Sequence, residues 1–573
     1  MPEPAPRPVR LRAGPDLLAE DDWAGVDPLL RRIYAARGVR AADELDTSLK
    51  GLAPVGSLAG VDKAVDLLLA HRGARIIVVG DFDADGATST ALVMRCLKAF
   101  GIADVHYLVP NRFRFGYGLT PDIVRVAAES NPDLLVTVDN GVSSIDGTEE
   151  AHRLGLKVLI TDHHLPGPSL PRADAMVNPN LEAGAFASPN LAGVGVAFYL
   201  MAALGRRLEQ DGRAGASRVP ARYLDLVALG TVADVVRLDR NNRILVQQGL
   251  ERIRAGRSVA GIRALFETAG RDPARAVAGD LGFVVGPRLN AAGRLEDMSI
   301  GIECLLCDDP GTAARLAATL DGINHERRQI EADMRAQAFR YVDAIDEASL
   351  PACVCLHEPD WHQGVVGLIA ARVRERCHRP VIAFARDEDG TLKGSARSIS
   401  GVHIRDLLHA VSTASPGLVR KFGGHAMAAG LNLDPDALPA FRELAAKKLV
   451  ELYPDADFSG AILTDGSLPG SALKLEFARA LREAGPWGAG FPEPVWTGDF
   501  EIEDSRVVGE NHLKLRVRPL DGAASVDAIA FNQAGPAWRG VVRLTYRLDV
   551  NEYRGFESAQ LVVVQIVNIR KSA

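Results

Sequence analysis

The stretch Ile76-Ile77-Val78-Val79-Gly80-Asp81-Phe82-Asp83-Ala84-Asp85-Gly86 joins a run of apolar residues to three alternating carboxylates. An apolar run of this length predicts a short strand that is buried on both faces. The carboxylates follow the C-terminal end of that strand, which is the edge where open parallel α/β sheets bind their ligands. The stretch therefore predicts a strand of a parallel sheet with a polar site at its end.

Two further segments repeat this pattern. The apolar run 134–138 ends in Asp139-Asn140-Gly141, and the run 157–161 ends in Asp162-His163-His164. A single Asp after a strand is usually a helix N-cap or a turn residue. Three such strand ends, two carboxylates at i and i+2, and a pair of imidazoles are not explained by capping. We therefore predict that three strands deliver ligands to one edge of the sheet.

The candidate ligands form a set rich in carboxylates, namely Asp81, Asp83, Asp85, Asp139, Asp162, His163, His164 and Asp234. Carboxylates at such density need cations, because unpaired charges repel one another and shift their pKa values strongly. Oxygen ligands with one or two imidazoles favour Mn²⁺ or Mg²⁺, whereas thiolates favour zinc. Two ions about 3.5–4 Å apart can activate a water and stabilise the leaving oxygen of a phosphoester. The predicted reaction is therefore phosphoester hydrolysis.

The composition is that of a multidomain enzyme without a membrane anchor. The 573 residues, 47% of them hydrophobic, suffice for three or four domains. No apolar run approaches the ~20 residues of a membrane span, and the proline-rich N-terminus lacks the apolar core of a signal peptide, so we expect a cytoplasmic protein. Six cysteines are few, and Cys304-x-x-Cys307 has no second pair at zinc-site spacing, which predicts reduced thiols. The net charge of −7 neither indicates nor excludes a polyanionic ligand, because a local basic stripe decides that.

The pattern of elements predicts a doubly wound, mainly parallel α/β sheet, then a long helix, a second α/β domain and a C-terminal β-barrel. Strand and helix patterns alternate over about 75–235, and Asp308-Asp309-Pro310 opens a polar helix that could reach 346. A second α/β segment follows over about 350–455, with a glycine-rich loop at 423–430. Beyond Gly485-Pro486-Trp487-Gly488, apolar residues alternate with polar ones along the chain, a pattern typical of the strands of a small antiparallel barrel or sandwich.

The motifs Asp81-x-Asp83-x-Asp85-Gly86, Asp139-Asn140-Gly141 and Asp162-His163-His164 resemble those of the DHH phosphoesterase superfamily. The segments 111–118, 286–294, 423–425 and 490–494 narrow the resemblance to its bacterial single-stranded-DNA-specific exonucleases, over nearly the whole chain. The resemblance implies an N-terminal extension (1–45), a DHH domain (46–308), a connecting helix (309–346), a DHHA1 domain (347–460) and an OB-fold domain (461–573).

The resemblance also implies an activity, which is 5′→3′ degradation of single-stranded DNA to mononucleotides in recombination and repair. It implies two ions, Mn²⁺ or Mg²⁺, with Asp83 and Asp85 as ligands of different ions and Asp139 as the bridge. His163 and Asp234 are implied as ligands of the second ion. The catalytic residues are then expected to be Asp83, Asp85, Asp139, His163, His164 and Asp234.

The surroundings of the first ion are less completely specified. Asp81 is expected as an outer or direct ligand, and His164 is expected to face the substrate phosphate. Smaller members of the superfamily often carry a His four residues before the position of Asp83, where this chain has Val79. The ligand that completes the first site therefore stays open.

Basic, hydroxyl and glycine residues are candidates for binding DNA and its phosphates. Each has a structural alternative: an ordinary loop, an ion pair, or a tight glycine turn. In the barrel, Lys514, Arg516, Arg518, Tyr553 and Arg554 are weaker candidates, because cations on a barrel surface usually serve solubility. The stronger candidates are Arg112, Tyr117, Arg288, Asn290, Ser395, Arg397, Gly424 and His425.

Two other classes of function compete with this prediction. A DHH phosphoesterase acting on short oligoribonucleotides or other small phosphoesters would use the same metals but would need no barrel. A replication scaffold would have lost ligands, whereas every expected acidic position is filled here. We expect a monomer that binds single-stranded DNA and, by resemblance, a single-strand-binding protein and a recombination helicase.

Overall fold

The computed structural model describes residues 6–14, 23–111, 115–181, 186–346, 349–387, 389–533 and 538–569. The chain forms two compact units. The first runs to Asn290 and includes Met298–Ala318 and the chain from Ala461; the second comprises Ala291–Asp297 and Thr319–Gly460. Among the helices of these described ranges, none combines the length and the apolar character needed to cross a membrane.

The first unit contains a parallel sheet that bears the strand ends predicted as ligand positions. The first strands of the chain are β1 (Val9–Leu11), β2 (Ile76–Val79), β3 (Val105–Leu108), β4 (Leu134–Val138), β5 (Lys157–Thr161) and β6 (Ala175–Val177). The sheet has the order β3-β2-β4-β5-β6, and all its strands are parallel. Strands β2, β4 and β5 are therefore neighbours, which confirms the predicted doubly wound parallel sheet.

The helices in the first half of the chain pack on this sheet, on one another or on the barrel. They are α1 (Pro28–Ala35), α2 (Val61–Ala70), α3 (Ala84–Ala99), α4 (Pro121–Ala128), α5 (Ile145–Arg153), α6 (Gly193–Gln210), α7 (Leu224–Ala233), α8 (Arg240–Arg254), α9 (Ala260–Thr268), α10 (Ala278–Asp280), α11 (Gly286–Leu295) and α12 (Ser299–Leu306). A π-helix, Leu281–Val285, directly precedes α11. Helix α7 is buried from Leu224 to Thr231, because its sequence is apolar on nearly every face. It therefore runs through the core and carries Asp234 at its C-terminal end.

The second unit combines most of a long helix with a mixed sheet. Its elements are α13 (Pro310–Asp343), β7 (Val354–His357), α14 (Val366–Cys377), β8 (Val381–Arg386), β9 (Leu392–Arg397), α15 (Ile404–Ala414), β10 (Lys421–Gly424), β11 (Ala428–Leu433) and α16 (Leu438–Leu452). The sheet order is β10-β11-β9-β8-β7. The predicted glycine-rich loop is instead an antiparallel hairpin, since Gly423 pairs with Gly430 and Gly424 with Ala429. Pairing of β11 with β9 holds this segment extended.

The C-terminal region is a closed barrel, as the alternating pattern predicted. The remaining elements are β12 (Ile462–Thr464), α17 (Leu475–Glu483), β13 (Trp496–Val508), β14 (His512–Pro519), β15 (Val526–Ala530), β16 (Gly540–Tyr553) and β17 (Phe556–Asn568). The barrel order is β13-β14-β15-β17-β16, and β12 pairs with β1. Leu513, Leu515 and Val517 are buried in the barrel core, because alternate side chains of a strand lie on the same face.

The N-terminal helix and the barrel share one core. Ile33 of α1 packs among the barrel residues. The buried Arg37 guanidinium donates to Asp465 Oδ1 at 2.8 Å and to Pro492 O at 2.6 Å. Arg243 of α8 lies over the Phe491 ring, 4.3 Å from its centroid. The barrel is therefore an integral part of the first unit, and deleting it would expose apolar surface and leave Arg37 without its carboxylate.

Candidate metal centre

The carboxyl ends of β2, β4 and β5 bring acidic side chains together at one edge of the sheet. Val79 pairs with Thr137, and Thr137 pairs with Ile160, so the three strands end in register. Asp139 follows β4 with a left-handed φ of 63°, which is uncommon for a residue with a side chain. Such backbone outliers concentrate at functional sites, where the surrounding packing maintains them.

Asp83 begins helix α3 as its N-cap. Its Oδ1 accepts the Gly86 N–H at 3.0 Å, while the Ala84 N–H donates to Asn290 Oδ1 at 2.8 Å. Two of the N–H groups that every helix start leaves without intrahelical partners are thereby satisfied. A Cβ atom at Gly86 would lie 2.6 Å from the Asp81 Cβ, so glycine is required where α3 passes over Asp81.

Asp85 lies one residue inside α3 and is completely enclosed. Its two oxygens accept the N–H groups of Gly193 at 2.6 Å and Val194 at 2.9 Å, in the first turn of α6. A Cβ atom at Gly230 of α7 would lie 2.7 Å from Asp85 Oδ1. Burial raises the pKa of Asp85 to about 7, and the neighbouring charges of Asp234 and Asp83 add to this effect.

Asp139 is the member of the set whose charge is least compensated. Its Oδ1 is buried and accepts no hydrogen bond from the described residues. A Cβ atom at Gly193 would lie 2.5 Å from that oxygen, so α6 approaches it only because residue 193 is glycine. Burial and the nearby carboxylates, Asp85 first, raise the pKa of Asp139 well above its usual value. A bound cation would supply the partner that this oxygen lacks.

His163 lies between two carboxylates. Its Nε2 is 3.1 Å from Asp139 Oδ1, without the geometry of a hydrogen bond, and 3.5 Å from Asp234 Oδ2. Burial and the charge of His164 lower the pKa of His163, which favours the neutral imidazole that binds metals. Burial, together with Asp83, raises the pKa of Asp234 to about 8.

Asp162 orients the two imidazole residues. Its Oδ1 accepts the N–H groups of His163 at 2.7 Å and His164 at 3.1 Å, and its Oδ2 accepts the Val142 N–H at 2.8 Å. The His164 Nδ1 lies 2.7 Å from Asp162 Oδ1. Burial opposes the charge on Asp162, but the hydrogen bond and charge of His164 lower its pKa to about 2. Burial likewise opposes the charge on His164, yet Asp162 raises its pKa to about 9, which favours the protonated imidazole.

The donor atoms form three overlapping groups, each with its atoms within 4.8 Å of one another. Asp139 and His163 each belong to two groups, so the groups share members. Oxygen donors with one imidazole suit Mn²⁺ and Mg²⁺, and the Asp139 Oδ1 that accepts no hydrogen bond lies at the junction. The residues therefore fit two divalent ions. The groups are Asp81 with Asp83 and Asp139; Asp85 with His163 and Asp234; and Asp139 with His163 and His164.

Tyr117 lies beside this centre, and its predicted contact with DNA stays a prediction. Its hydroxyl donates to Asp139 O at 3.2 Å and lies 3.2 Å from the ring nitrogens of His164. The Tyr117 ring meets Phe82 and His164 edge-on. Arg112, the other candidate of this loop, lies outside the described residues.

Arg288 and Asn290, predicted to clamp phosphate, make backbone contacts. Arg288 is buried, and its Nη1 donates to Val284 O at 2.6 Å. Asn290 holds the Ala84 N–H, between two of the acidic residues. Phosphate binding by either side chain stays a prediction, whereas their anchoring contacts are seen directly.

The second unit places Ser395 and Arg397 on β9. Arg397 Nη1 donates to Ser395 Oγ at 3.1 Å and to Ala396 O at 2.9 Å. A Cβ atom at Gly367, in the first turn of α14, would lie 2.9 Å from Ser395 Oγ and 3.0 Å from Arg397 Nη2. Gly367 was not among the predicted site residues. Its one signal in the sequence is the pair Gly364-x-x-Gly367 at a helix start.

Gly424 and His425 make contacts that belong to the hairpin. A Cβ atom at Gly424 would lie 2.5 Å from Ala428 O, and the backbone there has a φ of 138°. The His425 N–H donates to Ala428 O at 2.7 Å and closes the turn. Hairpin geometry thus accounts for glycine at 424, and a phosphate-binding role for these two residues stays a prediction.

Three family models match the chain: the N-terminal domain of the DHH family over residues 75–231, the DHHA1 domain over 349–451 and the RecJ OB domain over 464–565. The single-stranded-DNA-specific exonuclease RecJ of Dickeya dadantii is 53% identical over 548 residues, which cover 93% of this chain and 95% of that protein. The chain belongs to the RecJ family. This finding confirms the resemblance drawn from the motifs.

Solved RecJ structures extend the comparison to three dimensions. RecJ from Thermus thermophilus in complex with Mn²⁺ matches with a TM-score of 0.80 at 32% identity, covering 95% of this chain and 76% of that one. Its complex with Mg²⁺ matches with a TM-score of 0.74 at 31% identity, covering 95% and 75%. These are the two ions that the donor set predicts.

Proposed function

We propose that this chain is a metal-dependent exonuclease that degrades single-stranded DNA from its 5′ end and releases mononucleotides by two-metal hydrolysis. The observation that carries the proposal is the buried Asp139 Oδ1, which accepts no hydrogen bond from any described residue where two groups of metal donors meet. The Dickeya relative is named a single-stranded-DNA-specific exonuclease, and the Thermus structures hold Mn²⁺ or Mg²⁺.

Different residues of the centre would bind the ions, contact the phosphate and position other side chains. Two divalent ions, when bound, would activate the attacking water and stabilise the charge that develops on the phosphate. Asp81, Asp83 and Asp139 would hold one ion, and Asp85, His163 and Asp234 would hold the other. Asp139 would lie close to both ions, because it also groups with His163. His164, kept cationic by Asp162, would donate a hydrogen bond to a phosphate oxygen. Tyr117 would hold the His164 ring in place through its hydroxyl.

Attack from the 5′ end needs a pocket that recognises a terminal phosphate, and we assign this role to Ser395 and Arg397. An arginine can bind phosphate through two parallel hydrogen bonds. Helix α14 begins at Val366, so its first N–H groups lie close to these side chains where Gly367 permits the approach. Together they offer a hydroxyl, a guanidinium and backbone N–H groups to one anion.

The activity is tested with the purified chain and three substrates of one sequence: 5′-labelled single-stranded DNA, the same DNA as a blunt duplex, and single-stranded RNA. We expect labelled mononucleotide as the first product from the single-stranded DNA, only with Mn²⁺ or Mg²⁺, and little from the duplex. Release of the label in short oligonucleotides, or cleavage unaffected by EDTA, would refute the proposal. Faster cleavage of RNA would favour the alternative, a phosphoesterase for short oligoribonucleotides.

The cellular setting is also a proposal. We expect a cytoplasmic monomer that acts in recombination and repair with a single-strand-binding protein and a helicase. Light scattering of the purified chain tests the oligomeric state. Binding assays with purified single-strand-binding protein, performed with and without DNA, test whether the two proteins associate directly.

A further inference from the structure

Two apolar side chains face solvent on segments that meet at the end of helix α7, where Asp234 lies. Phe283 is 82% exposed, and Val235 is 68% exposed. Isolated exposed apolar residues are common on protein surfaces and need no explanation by themselves. A functional role for Phe283 and Val235 must therefore be argued from their positions in the fold.

Phe283 stands on a segment that packs against the end of helix α7. A Cβ atom at Gly282 would lie 3.2 Å from Val232 Cγ1, and one at Gly286 would lie 3.1 Å from Ala233 Cβ. Asp234 follows Ala233 directly and caps α7. Phe283 is thus presented beside the last turn before a candidate metal ligand.

The segment that carries Phe283 is held at several points. It is the π-helix Leu281–Val285, and such single π-turns are rare and frequent at functional sites. Arg288 Nη1 donates to Val284 O within it, and Asn290, further along the same chain segment, holds the Ala84 N–H between Asp83 and Asp85. The backbone segment that carries Phe283 therefore packs on α7, and the chain that follows it is anchored to the start of α3.

Val235 adds an independent observation. Its φ is 61°, a left-handed conformation that a β-branched residue adopts only under strain. The strain occurs at the residue immediately after Asp234, where the chain leaves α7. A strained, exposed valine beside a functional side chain marks a position whose geometry the surrounding structure maintains.

We infer that Phe283, on the segment that packs against the end of α7, and Val235, directly after Asp234, form a platform on which a nucleobase of single-stranded DNA stacks beside the metal centre. The inference rests on the proposed nuclease activity and adds a base contact to it. An aromatic ring can stack on any of the four bases, so it suits an enzyme that must advance through every sequence. In a duplex the base is already stacked and paired, so the platform also favours single strands.

The test compares loss of the ring with loss of the base. Wild type, Phe283→Ala, Phe283→Leu and Phe283→Trp are assayed on single-stranded DNA carrying one abasic residue, moved one position at a time from the 5′ end. We expect Ala and Leu to lower kcat/KM on intact DNA by about 10-fold, equal to about 1.4 kcal/mol, and Trp to stay within about threefold. At one position the abasic residue should slow wild type by a similar factor and leave Phe283→Ala unchanged.

Tyr341→Ala is the matched control, because this ring on α13 is also exposed, at 47%, and is expected to leave the abasic profile of wild type unaltered. Thermal unfolding should be the same for all variants, since none removes a buried group. The inference is overturned if Phe283→Ala has the same kcat/KM as wild type on intact DNA. It is also overturned if, at every position of the abasic residue, the loss in kcat/KM from Phe283→Ala multiplies with the loss from the abasic residue, as it does for independent contacts. Either result would leave metal-dependent cleavage by wild type intact, whereas failure of the proposed function would show as an inactive wild type.

Discussion

The edge of the parallel sheet and the surface of the C-terminal barrel treat charge in opposite ways. At the edge, Asp85 and Asp139 are buried and Asp234 is partly buried, and loss of solvation raises the pKa of each. On the barrel, Asp527 contacts two cations, Lys514 at 3.1 Å and Arg516 at 2.8 Å. Burial opposes the charge on Asp527, but these cations lower its pKa.

This difference indicates which acidic residues are candidates for binding a metal ion. Acids that already have cations are stable as they are, and exposed pairs of this kind contribute little to stability. Acids that raise one another's pKa have no such compensation and gain most from a bound divalent ion. Three barrel cations predicted as DNA contacts, Lys514, Arg516 and Arg518, form ion pairs with Asp527 or Glu501. Phosphate would have to compete with these carboxylates.

The largest effect is expected at the edge. Asp139→Ala should lower kcat by roughly 10³-fold or more, because it removes the ligand that two groups share. In EDTA its melting temperature should be at least that of wild type, since the substitution removes an uncompensated buried charge. Asp527→Ala is the control in the barrel and should keep cleavage of a short oligonucleotide within about threefold. Turnover by Asp139→Ala under saturating Mn²⁺ would contradict the assignment.

Arg397 differs from both the acids of the sheet edge and the ion-paired cations of the barrel. Its guanidinium donates hydrogen bonds to the neutral oxygens of Ser395 and Ala396. Arg397→Ala should reduce cleavage of 5′-phosphorylated DNA by about 10- to 100-fold, since charge-assisted bonds to phosphate are worth roughly 1.5–3 kcal/mol. The preference over 5′-hydroxyl ends should narrow. Rates are compared at one salt concentration, because phosphate affinity depends steeply on salt. Equal loss on both ends would mean that Arg397 does not read the terminal phosphate.

The third prediction concerns pH and stability. Without ions, the pKa values of about 7 for Asp85 and about 8 for Asp234 lie above the unfolded value, so these groups contribute stability at low pH that is lost as pH rises through 7 and 8. Mn²⁺ should offset this loss, so the rise in melting temperature on adding Mn²⁺ should be larger by several degrees at about pH 8 than at about pH 5. An equal rise at both pH values would contradict the charge imbalance at the edge.

The smallest effect is expected on the barrel. Asp527→Asn should release Lys514 and Arg516 and tighten binding of long single-stranded DNA about two- to fivefold at low salt, with the gain disappearing as salt is raised. Fluorescence anisotropy without a divalent ion measures binding in the absence of cleavage. Asp499→Asn, which releases Arg543 elsewhere on the barrel, shows whether the gain depends on position. Unchanged affinity in Asp527→Asn would place the DNA track away from this face.

Sequence patterns were sufficient to predict the parallel sheet, its ligand-bearing strand ends and the barrel, because these patterns are local. A short apolar run followed by carboxylates predicted β2 and Asp81, and the alternation of Leu513, Leu515 and Val517 predicted a half-buried strand.

Which polar side chains already have a hydrogen-bond or ion-pair partner depends on contacts between distant parts of the chain. Asp85 and Asp139 look alike in the sequence, yet Gly193 and Val194, more than a hundred residues from Asp85, donate to Asp85 and leave Asp139 Oδ1 without a hydrogen bond. In the same way, the sequence shows Arg516 as a cation available to DNA, and folding places Asp527 beside it. Residue type states what a side chain can bind, whereas long-range packing determines what it has already bound.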